Sequence, residues 1–240
     1  MAAVTTLLST RGLSRHFGGL RAVENVDFDL PEGEIRALIG PNGAGKTTFV
    51  SMLCGRIPPS SGQIIFGGRD VTALPAHKRV QMGIAYTFQI TSVFSALSVR
   101  ENVELAVQRI YRASPAALRD ESDALLGRVG LEGRSDQIAG DLAYGHQRLL
   151  EIAMGLGQNP RLLILDEPTQ GLSDGEVQSF IRLIHEVARE TTVLLIEHNI
   201  DVVMALAQKI TVMNFGAIIA EGTPEEIRAN EAVQAAYLGG

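Results

Sequence analysis

Gly40-Pro41-Asn42-Gly43-Ala44-Gly45-Lys46-Thr47 fits the pattern G-x-x-x-x-G-K-[S/T] of a phosphate-binding P-loop. Glycines let the backbone curl until its N–H groups point at an anion, and a helix beginning near Lys46 adds the positive end of its dipole. In such a loop Lys46 reaches the β- and γ-phosphates, and Thr47 offers its hydroxyl to Mg²⁺. The stretch therefore predicts a phosphate site.

The residues around this loop have the pattern of a strand that enters it and a helix that leaves it. Residues 34–39 are typical of a buried strand, and residues 48–53 of a helix. Two later apolar runs, 162–165 and 192–196, are typical of central parallel strands, and residues 175–189 between them place their apolar side chains on one helical face. Strand, helix and strand in this order predict a parallel α/β core.

Two other regions have patterns of their own. Residues 7–17 and 25–30 are strand-like, and the second alternates apolar with acidic residues, so we expect an antiparallel β subdomain at the start of the chain. From Ser98, which forms a capping box with Glu101, apolar residues recur at helical spacing. The predicted fold class is α/β: a P-loop NTPase core with a mixed, mainly parallel central sheet, an N-terminal antiparallel β subdomain and an inserted α-helical subdomain.

We expect the 240 residues to form a single domain with two lobes. Residues 1–91 and 159–240 would form the nucleotide-binding core with the antiparallel β subdomain. Residues 92–158 would form the helical subdomain.

The composition argues against several classes of protein. A net charge of −6 and a pI near 5.4 argue against a broad nucleic-acid-binding face. The single cysteine, Cys54, has no partner for an intrachain disulfide, which fits a reducing compartment. Neither a basic and apolar leader nor a run of about 18 apolar residues is present, so we expect a soluble chain that does not itself cross a membrane.

Two carboxylates, Asp166 and Glu167, directly follow the apolar run at 162–165. The carboxyl end of a buried strand is where open α/β sheets bind ligands. With a P-loop in the same sheet, Asp166 is placed to hold Mg²⁺ through its water shell. Glu167 can face the γ-phosphate and orient or deprotonate a water. The two carboxylates therefore make hydrolysis of a nucleotide the predicted chemistry.

Five motifs in this order resemble those of the nucleotide-binding subunits of ATP-binding-cassette (ABC) transporters. The resemblance extends over almost the whole chain, from Phe17 to about Pro224. The motifs are residues 40–48, Gln89, the stretch Leu142-Ala143-Tyr144-Gly145-His146-Gln147, residues 162–169 and His198.

The resemblance implies a role for each residue that matches a motif. Phe17 corresponds to the aromatic residue that stacks on adenine. Gln89 matches the glutamine that touches Mg²⁺ and the attacking water and joins the core to the helical lobe. His198 matches the switch histidine, which bonds the γ-phosphate and helps to hold the water near Glu167. The implied ATP contacts of the loop are Asn42, Gly43, Ala44, Gly45, Lys46, Thr47 and Thr48, and the implied Mg²⁺ contacts are Thr47, Gln89 and Asp166.

A further stretch is implied to act on a second subunit. In the family its backbone amides and helix N-terminus close on the γ-phosphate held by the other subunit's P-loop. The familiar form is Leu-Ser-Gly-Gly-Gln, so Ala143 removes a hydroxyl, and we expect the contact to be weaker by about 1–2 kcal/mol. Ser173 stands where an aspartate is usual, which leaves the usual cross-dimer contact there open. The residues implied in trans are Ala143, Tyr144, Gly145 and His146.

Within the family, the chain is similar to the ATPase subunits of bacterial and archaeal branched-chain amino acid importers. The similarity rests on Phe17-Gly18-Gly19-Leu20, the Leu-Ala-Tyr-Gly form, Glu197-His198-Asn199 and residues 222–239. It implies a peripheral ATP-hydrolysing subunit on the cytoplasmic face of the inner or plasma membrane of a bacterium or archaeon. The implied partners are a second ATP-binding subunit (a paralogue, or a second copy of this chain), integral membrane permease subunits and, indirectly, an external substrate-binding protein; no nucleic acid is implied.

Three alternatives stay open. Close relatives in the family serve urea, short amides or lipopolysaccharide export. Soluble ABC ATPases of translation or DNA repair usually have two cassettes or a long coiled coil, and this sequence has one cassette and no sustained heptads. A small-molecule kinase also uses a P-loop but excludes water, whereas Glu167 and His198 suit the activation of water.

Overall fold

The computed structural model describes residues 5–87, 92–108 and 114–238. Within these ranges the strands and helices follow one another in the order that a P-loop core with inserted helices requires. The strands are β1 (Thr6–Phe17), β2 (Leu20–Pro31), β3 (Ile35–Ile39), β4 (Ser61–Phe66), β5 (Arg69–Asp70), β6 (Ile84–Tyr86), β7 (Leu162–Asp166), β8 (Thr192–Ile196), β9 (Lys209–Asn214) and β10 (Ala217–Gly222). The helices are α1 (Lys46–Leu53), α2 (Ala76–Gln81), α3 (Val99–Val107), α4 (Pro115–Arg128), α5 (Tyr144–Leu156), α6 (Asp174–Val187), α7 (Ile200–Leu206), α8 (Pro224–Arg228) and α9 (Glu231–Leu238).

The larger sheet has six strands in the order β10-β9-β3-β8-β7-β6. The five strands from β9 to β6 are parallel, and β10 is antiparallel on the edge. Every residue of β3, β7 and β8 is buried, which explains why these strands are mainly apolar in the sequence; the polar exceptions are Arg36 within β3, Asp166 at the end of β7 and Thr192 at the start of β8. The predicted mixed, mainly parallel sheet is confirmed. Because β3, β8 and β7 are neighbours, the loops that follow them leave the sheet side by side.

The smaller sheet is antiparallel, in the order β2-β1-β4-β5, as the opening residues predict. β2 begins earlier than the predicted residue 25, because the hairpin pairing continues out to Phe17 and Leu20. Gly18, with φ 57°, makes the tight turn between them. The sheet packs on α1 through the rings of Phe28 and Phe49, which meet edge to face at 5.5 Å.

Helices α3, α4 and α5 lie within residues 92–158, the interval predicted to be helical. The capping box at the start of α3 is confirmed, since the Glu101 amide donates to Ser98 Oγ at 3.2 Å and the Ser98 amide donates to Glu101 Oε2 at 2.7 Å. Apolar residues after the stretch 142–147 predict a helix over residues 149–155. α5 begins earlier, at Tyr144, because its polar first turn lacks that apolar spacing. The helices pack around a shared apolar cluster. The division of the chain into lobes at 91 and 159 remains a proposal.

In the part of the chain that the structure describes, every helix is too short or too polar to cross a bilayer.

Arg79 on α2 stabilises the far end of α1. Its side chain is almost fully buried, with 1% exposed. Nη1 donates to the carbonyls of Met52 and Leu53 at 2.6 and 2.8 Å. Nε and Nη2 donate to the carbonyls of Leu74 and Thr72 at 2.9 and 3.0 Å. Since the last carbonyls of a helix have no partner within it, Arg79 supplies donors that α1 lacks. The sequence carries no local signal of this contact.

We expect Arg79→Ala to lower the free energy of unfolding by about 3–5 kcal/mol, because four buried carbonyls lose a charged donor. Urea unfolding of the purified chain measures the change. Arg69→Ala is the matched control, because Arg69 is exposed and its loss should cost less than about 0.5 kcal/mol. Similar losses in the two variants would contradict the stabilising role of Arg79.

Candidate active site

The P-loop joins β3 to α1 through glycines in conformations that other residues rarely adopt. Gly40, Gly43 and Gly45 have φ values of 151°, 78° and 99°. A Cβ at Gly40 would lie 2.1 Å from the Met213 carbonyl oxygen, and one at Gly45 would lie 2.4 Å from that of Ala22. α1 begins directly after Gly45, and no side chain caps its first turn. The loop therefore offers the amides of a helix N-terminus to an anion.

Lys46 lies buried against this loop. Its Nζ donates to the Gly40 carbonyl at 2.6 Å and to the Pro41 carbonyl at 3.1 Å. Burial lowers the pKa of the Lys46 ammonium, while the charges of Glu167 and Asp166 act against that fall. Because both hydrogen bonds go to neutral carbonyls, the positive charge can still stabilise a bound anion.

A cavity of about 370 Å³ lies in front of the loop, a size typical of small-molecule sites. The phosphate-binding loop and the ends of β7 and β8 meet there, as the strand order requires. Its other wall comes from the start of β2 and the turn between β9 and β10. The lining residues are Leu20, Arg21, Ala22, Asn42, Gly43, Ala44, Gly45, Lys46, Thr47, Thr48, Asp166, Glu167, Ile196, His198 and Phe215.

Asp166 is the last residue of β7, and only 2% of it is exposed. Its Oδ2 accepts a hydrogen bond from the Tyr86 hydroxyl at 2.8 Å. Burial raises the pKa of the Asp166 carboxyl, and the hydrogen bond from Tyr86 acts against that rise. Burial and the Asp166 charge also raise the pKa of Tyr86, so its hydroxyl remains a donor. A buried carboxylate oriented in this way at the cavity wall is a suitable ligand for a cation.

The cavity wall offers few oxygen donors, which fits a Mg²⁺ ion held partly by phosphates and waters better than a metal ion held by protein ligands alone. The Thr47 hydroxyl and the Asp166 carboxylate both line the cavity, and both are oxygen donors. Among the described residues no group of three or more His, Cys, Asp or Glu side chains could hold a metal by itself. Mg²⁺ usually takes one or two protein oxygens and completes its shell with phosphates and waters. The two donors therefore fit a nucleotide-bound Mg²⁺.

Glu167 and His198 lie close to each other, beside the Asp166 carboxylate. The Glu167 amide donates to the Ile196 carbonyl at 2.8 Å, which ties the end of β7 to β8. Nε2 of His198 then lies 3.1 Å from Oε1 of Glu167. Glu167 has φ 51°, an uncommon conformation for a non-glycine residue. Such outliers gather at functional sites, and here the outlier is the predicted catalytic carboxylate.

The stretch predicted to act in trans forms the start of α5. Ala143 precedes the helix and offers no side-chain oxygen to its first amides. The Tyr144 hydroxyl donates to Gln170 Oε1 at 3.2 Å. A Cβ at Gly145 would lie 2.7 Å from the Gly171 carbonyl oxygen, so only glycine fits there. The stretch thus packs on the loop that follows Glu167.

The start of α6 extends the same contact. Nε2 of His146 lies 2.7 Å from Oε1 of Glu176. Glu176 also accepts hydrogen bonds from the amide and hydroxyl of Ser173, at 2.8 and 2.7 Å, in a capping box. Ser173, which replaces the usual aspartate, is therefore engaged within its own chain as a helix cap.

The predicted residues do not all meet in one place. The P-loop residues, Asp166, Glu167 and His198 share the cavity wall, whereas Ala143 to His146 do not line it. Phe17 does not line it either; its ring is 45% exposed and stacks under the Arg15 guanidinium at 4.6 Å. Gln89 lies outside the described residues. The roles of Phe17, Gln89 and the α5 stretch stay predictions.

The sequence did not identify Tyr86, which bonds a residue of the cavity wall, or several residues of that wall, among them Phe215. Tyr86 lies in β6, and its contact with Asp166 depends on β6 lying next to β7, a sheet order that cannot be read from one sequence. Phe215 lies in the turn between β9 and β10, with φ 44° and 86% exposed. A lone aromatic residue in a turn carries no local signal of a cavity wall.

Comparison with known families gives two matches. Residues 23–170 match the family described as ABC transporter. Residues 217–240 match the family described as branched-chain amino acid ATP-binding cassette transporter.

Curated proteins with related functions align with the chain almost from end to end. The high-affinity branched-chain amino acid transport ATP-binding protein LivG of Salmonella typhimurium is 42% identical over 249 aligned residues, which cover 97% of this chain and 98% of that protein. The corresponding protein BraF of Pseudomonas aeruginosa is 40% identical, with the same coverage. The lipopolysaccharide export system ATP-binding protein LptB of Escherichia coli is 35% identical over 97% of each chain.

Solved structures agree in fold. The ADP conformation of an ATP-binding cassette of an ABC transporter superposes with a TM-score of 0.86 at 26% identity, covering 98% of this chain and 100% of that one. A nucleotide-free cassette superposes with a TM-score of 0.87 at 27% identity and the same coverage.

Proposed function

This chain belongs to the ABC transporter family, and from that premise we propose that it is the subunit that hydrolyses ATP to drive import of branched-chain amino acids. It is an ABC ATPase with the P-loop α/β fold. The match of residues 217–240 to the branched-chain amino acid cassettes is the observation that carries the cargo assignment. The 42% identity to LivG, against 35% to LptB, supports import over lipopolysaccharide export.

The cavity supports the following assignment of ATP binding. Lys46 and the amides of residues 42–48 hold the β- and γ-phosphates. Thr47, Asp166 and Gln89 hold Mg²⁺, with Tyr86 orienting the Asp166 carboxylate. When bound, Mg²⁺ neutralises charge that develops on the phosphate oxygens. Phe17 stacks on the adenine ring.

We assign the hydrolysis step to Glu167 and His198, which lie at the ends of β7 and β8. Glu167 orients a water toward the γ-phosphorus and accepts its proton as the new P–O bond forms and the bond to the β-phosphate oxygen breaks. His198, 3.1 Å from Glu167, steadies that carboxylate and bonds the γ-phosphate. Glu167 and His198 suit the activation of water, whereas the site of a kinase excludes water.

The transport cycle requires a second ATP-binding subunit, which is a paralogue or another copy of this chain. Ala143, Tyr144, Gly145 and His146 act on the ATP held by that partner, and the closed dimer is favoured because it binds ATP more tightly than the open one. Permease subunits dock near residues 89–102, where Phe94 is 55% exposed. The external substrate-binding protein acts through the permease, and the ATPase lies peripherally on the cytoplasmic face of the membrane.

Ala143→Ser is expected to strengthen ATP-dependent association of the ATP-binding subunits by about 1–2 kcal/mol, roughly 5- to 30-fold, because serine restores a hydroxyl for the γ-phosphate. Sedimentation in a Glu167→Gln background measures the association while ATP persists. The same variant with ADP is the control and should show no gain. A gain that is equal with both nucleotides would contradict a γ-phosphate contact.

Reconstitution tests the proposed function. The chain is co-expressed with the permease subunits and external binding protein that co-purify with it, and the complex is placed in liposomes. ATP-driven uptake of leucine, isoleucine or valine, with urea and acetamide as comparison cargoes, is the expected result. Uptake of urea or acetamide alone would overturn the cargo assignment, and absence of phosphate release without an added acceptor would overturn the hydrolytic role.

A further inference from the structure

Glu197 lies at the end of β8, directly before His198, and is buried with 4% exposed. Its Oε1 accepts hydrogen bonds from the Thr169 amide at 3.1 Å and from the Thr169 hydroxyl. Its Oε2 accepts from the His198 amide at 2.7 Å and from the Asn199 amide at 3.0 Å. One carboxylate thus joins the loop after Glu167 to the loop that carries His198.

The Glu197 carboxylate connects the two loops at the point where the pairing of β7 and β8 ends. β7 and β8 pair up to Asp166 and Ile196, and the Glu167 amide adds one more bond to Ile196. Beyond that point no backbone hydrogen bond between the two segments occurs in the part of the chain that the structure describes. The Glu197 carboxylate continues the connection with four donors, two from each loop.

The burial of Glu197 is costly unless these donors satisfy it. Removing a carboxylate from water costs several kcal/mol, which hydrogen bonds or a cation must offset. Among the described residues no cation forms an ion pair with Glu197; three amides and one hydroxyl take that place. An apolar side chain at this position would avoid the cost of burying a carboxylate. The arrangement therefore indicates that Glu197 serves to fix the two loops relative to each other.

We propose that Glu197 is a positioning residue for ATP hydrolysis, which sets the distance between His198 and Glu167 by holding the backbone on either side of them. This inference rests on the proposed function of that pair. Glu197 does not line the cavity, so it acts through its neighbours, and its replacement should leave the P-loop contacts with ATP in place. A small displacement of a reacting group costs up to about 100-fold in rate, which sets the scale of the effect.

The first test is Glu197→Gln, which keeps the shape but places an NH₂ group against N–H donors. We expect kcat to fall about 10- to 100-fold while the Kd for ATP changes less than about twofold. Thr191→Val is the matched control, because it removes a buried hydroxyl bond to the Pro160 carbonyl at the opposite end of β8. A fall in kcat that also appears in Thr191→Val, or that is accompanied by an equal loss of ATP affinity, would overturn the proposal.

A double-mutant cycle with His198→Ala separates the positioning of His198 by Glu197 from a general disturbance of the fold. Once the histidine side chain is absent, Glu197→Gln should lower kcat by less than about threefold more, since coupled residues are not additive. Additive losses would overturn positioning through His198. The proposed function fails separately, if Glu167→Gln retains normal turnover in the same assay.

Discussion

Glu167→Gln is expected to bind ATP normally and to hydrolyse it about 10²- to 10⁴-fold more slowly. The amide keeps the size of the side chain and its place beside His198, but it cannot accept a proton from water. Binding should persist because the phosphate contacts come from the loop after β3 and from Lys46. Phosphate release under single-turnover conditions, together with a nucleotide titration, measures the two effects separately.

The control for this variant is Glu190→Gln, which changes an exposed carboxylate after α6 in the same way. It should leave both hydrolysis and binding unchanged. Near-normal turnover by Glu167→Gln would exclude Glu167 as the general base. Loss of ATP binding in step with hydrolysis would mean that the substitution had disturbed the loop instead.

Lys46→Ala is expected to weaken ATP binding by about 100-fold or more, because a charge-assisted contact with phosphate is worth about 1.5–3 kcal/mol for each hydrogen bond. The substitution also removes the hydrogen bonds from Nζ to the Gly40 and Pro41 carbonyls, so that the glycine conformations then hold the loop without them. Fluorescence titration with a labelled ATP analogue measures the loss. Lys209→Ala, at an exposed lysine, is the control.

Unaltered affinity in Lys46→Ala would refute the assignment of the P-loop as the nucleotide site. Tighter binding of ATP would do the same, because it would mean that the ammonium opposes the ligand. A loss of folded protein is separated from a loss of affinity by urea unfolding of both lysine variants.

The core of the fold could be predicted from the sequence because its signals are local. β3, β7 and β8 are buried on both faces, so each is mainly apolar, and Arg36 in β3 is the one charged residue in their interiors. The P-loop is equally local, since its glycines and Lys46 all lie within residues 40–46. α5 begins before the residue 149 that the apolar spacing predicts, because its first turn is polar and packing of Gly145 on Gly171 holds that turn in place.

What could not be predicted depends on residues far apart in the chain. Tyr86 and Asp166 are 80 positions apart and meet only because β6 lies beside β7. Arg79 and the end of α1 are 26 or 27 positions apart. Glu197 could be assigned to a subfamily motif, but its bonds to Thr169 require the register of β7 and β8. No property of these residue types reveals their partners without the sheet order.

The strand order also limits when the molecule can fold during its synthesis. β3, which leads into the phosphate-binding loop, pairs only with β8 and β9 among the described strands, and both lie beyond residue 190. Until those strands leave the ribosome, β3 has two open edges, and the loop after it has no sheet to support it. A nascent chain therefore cannot present a finished phosphate-binding loop until most of its length has been translated.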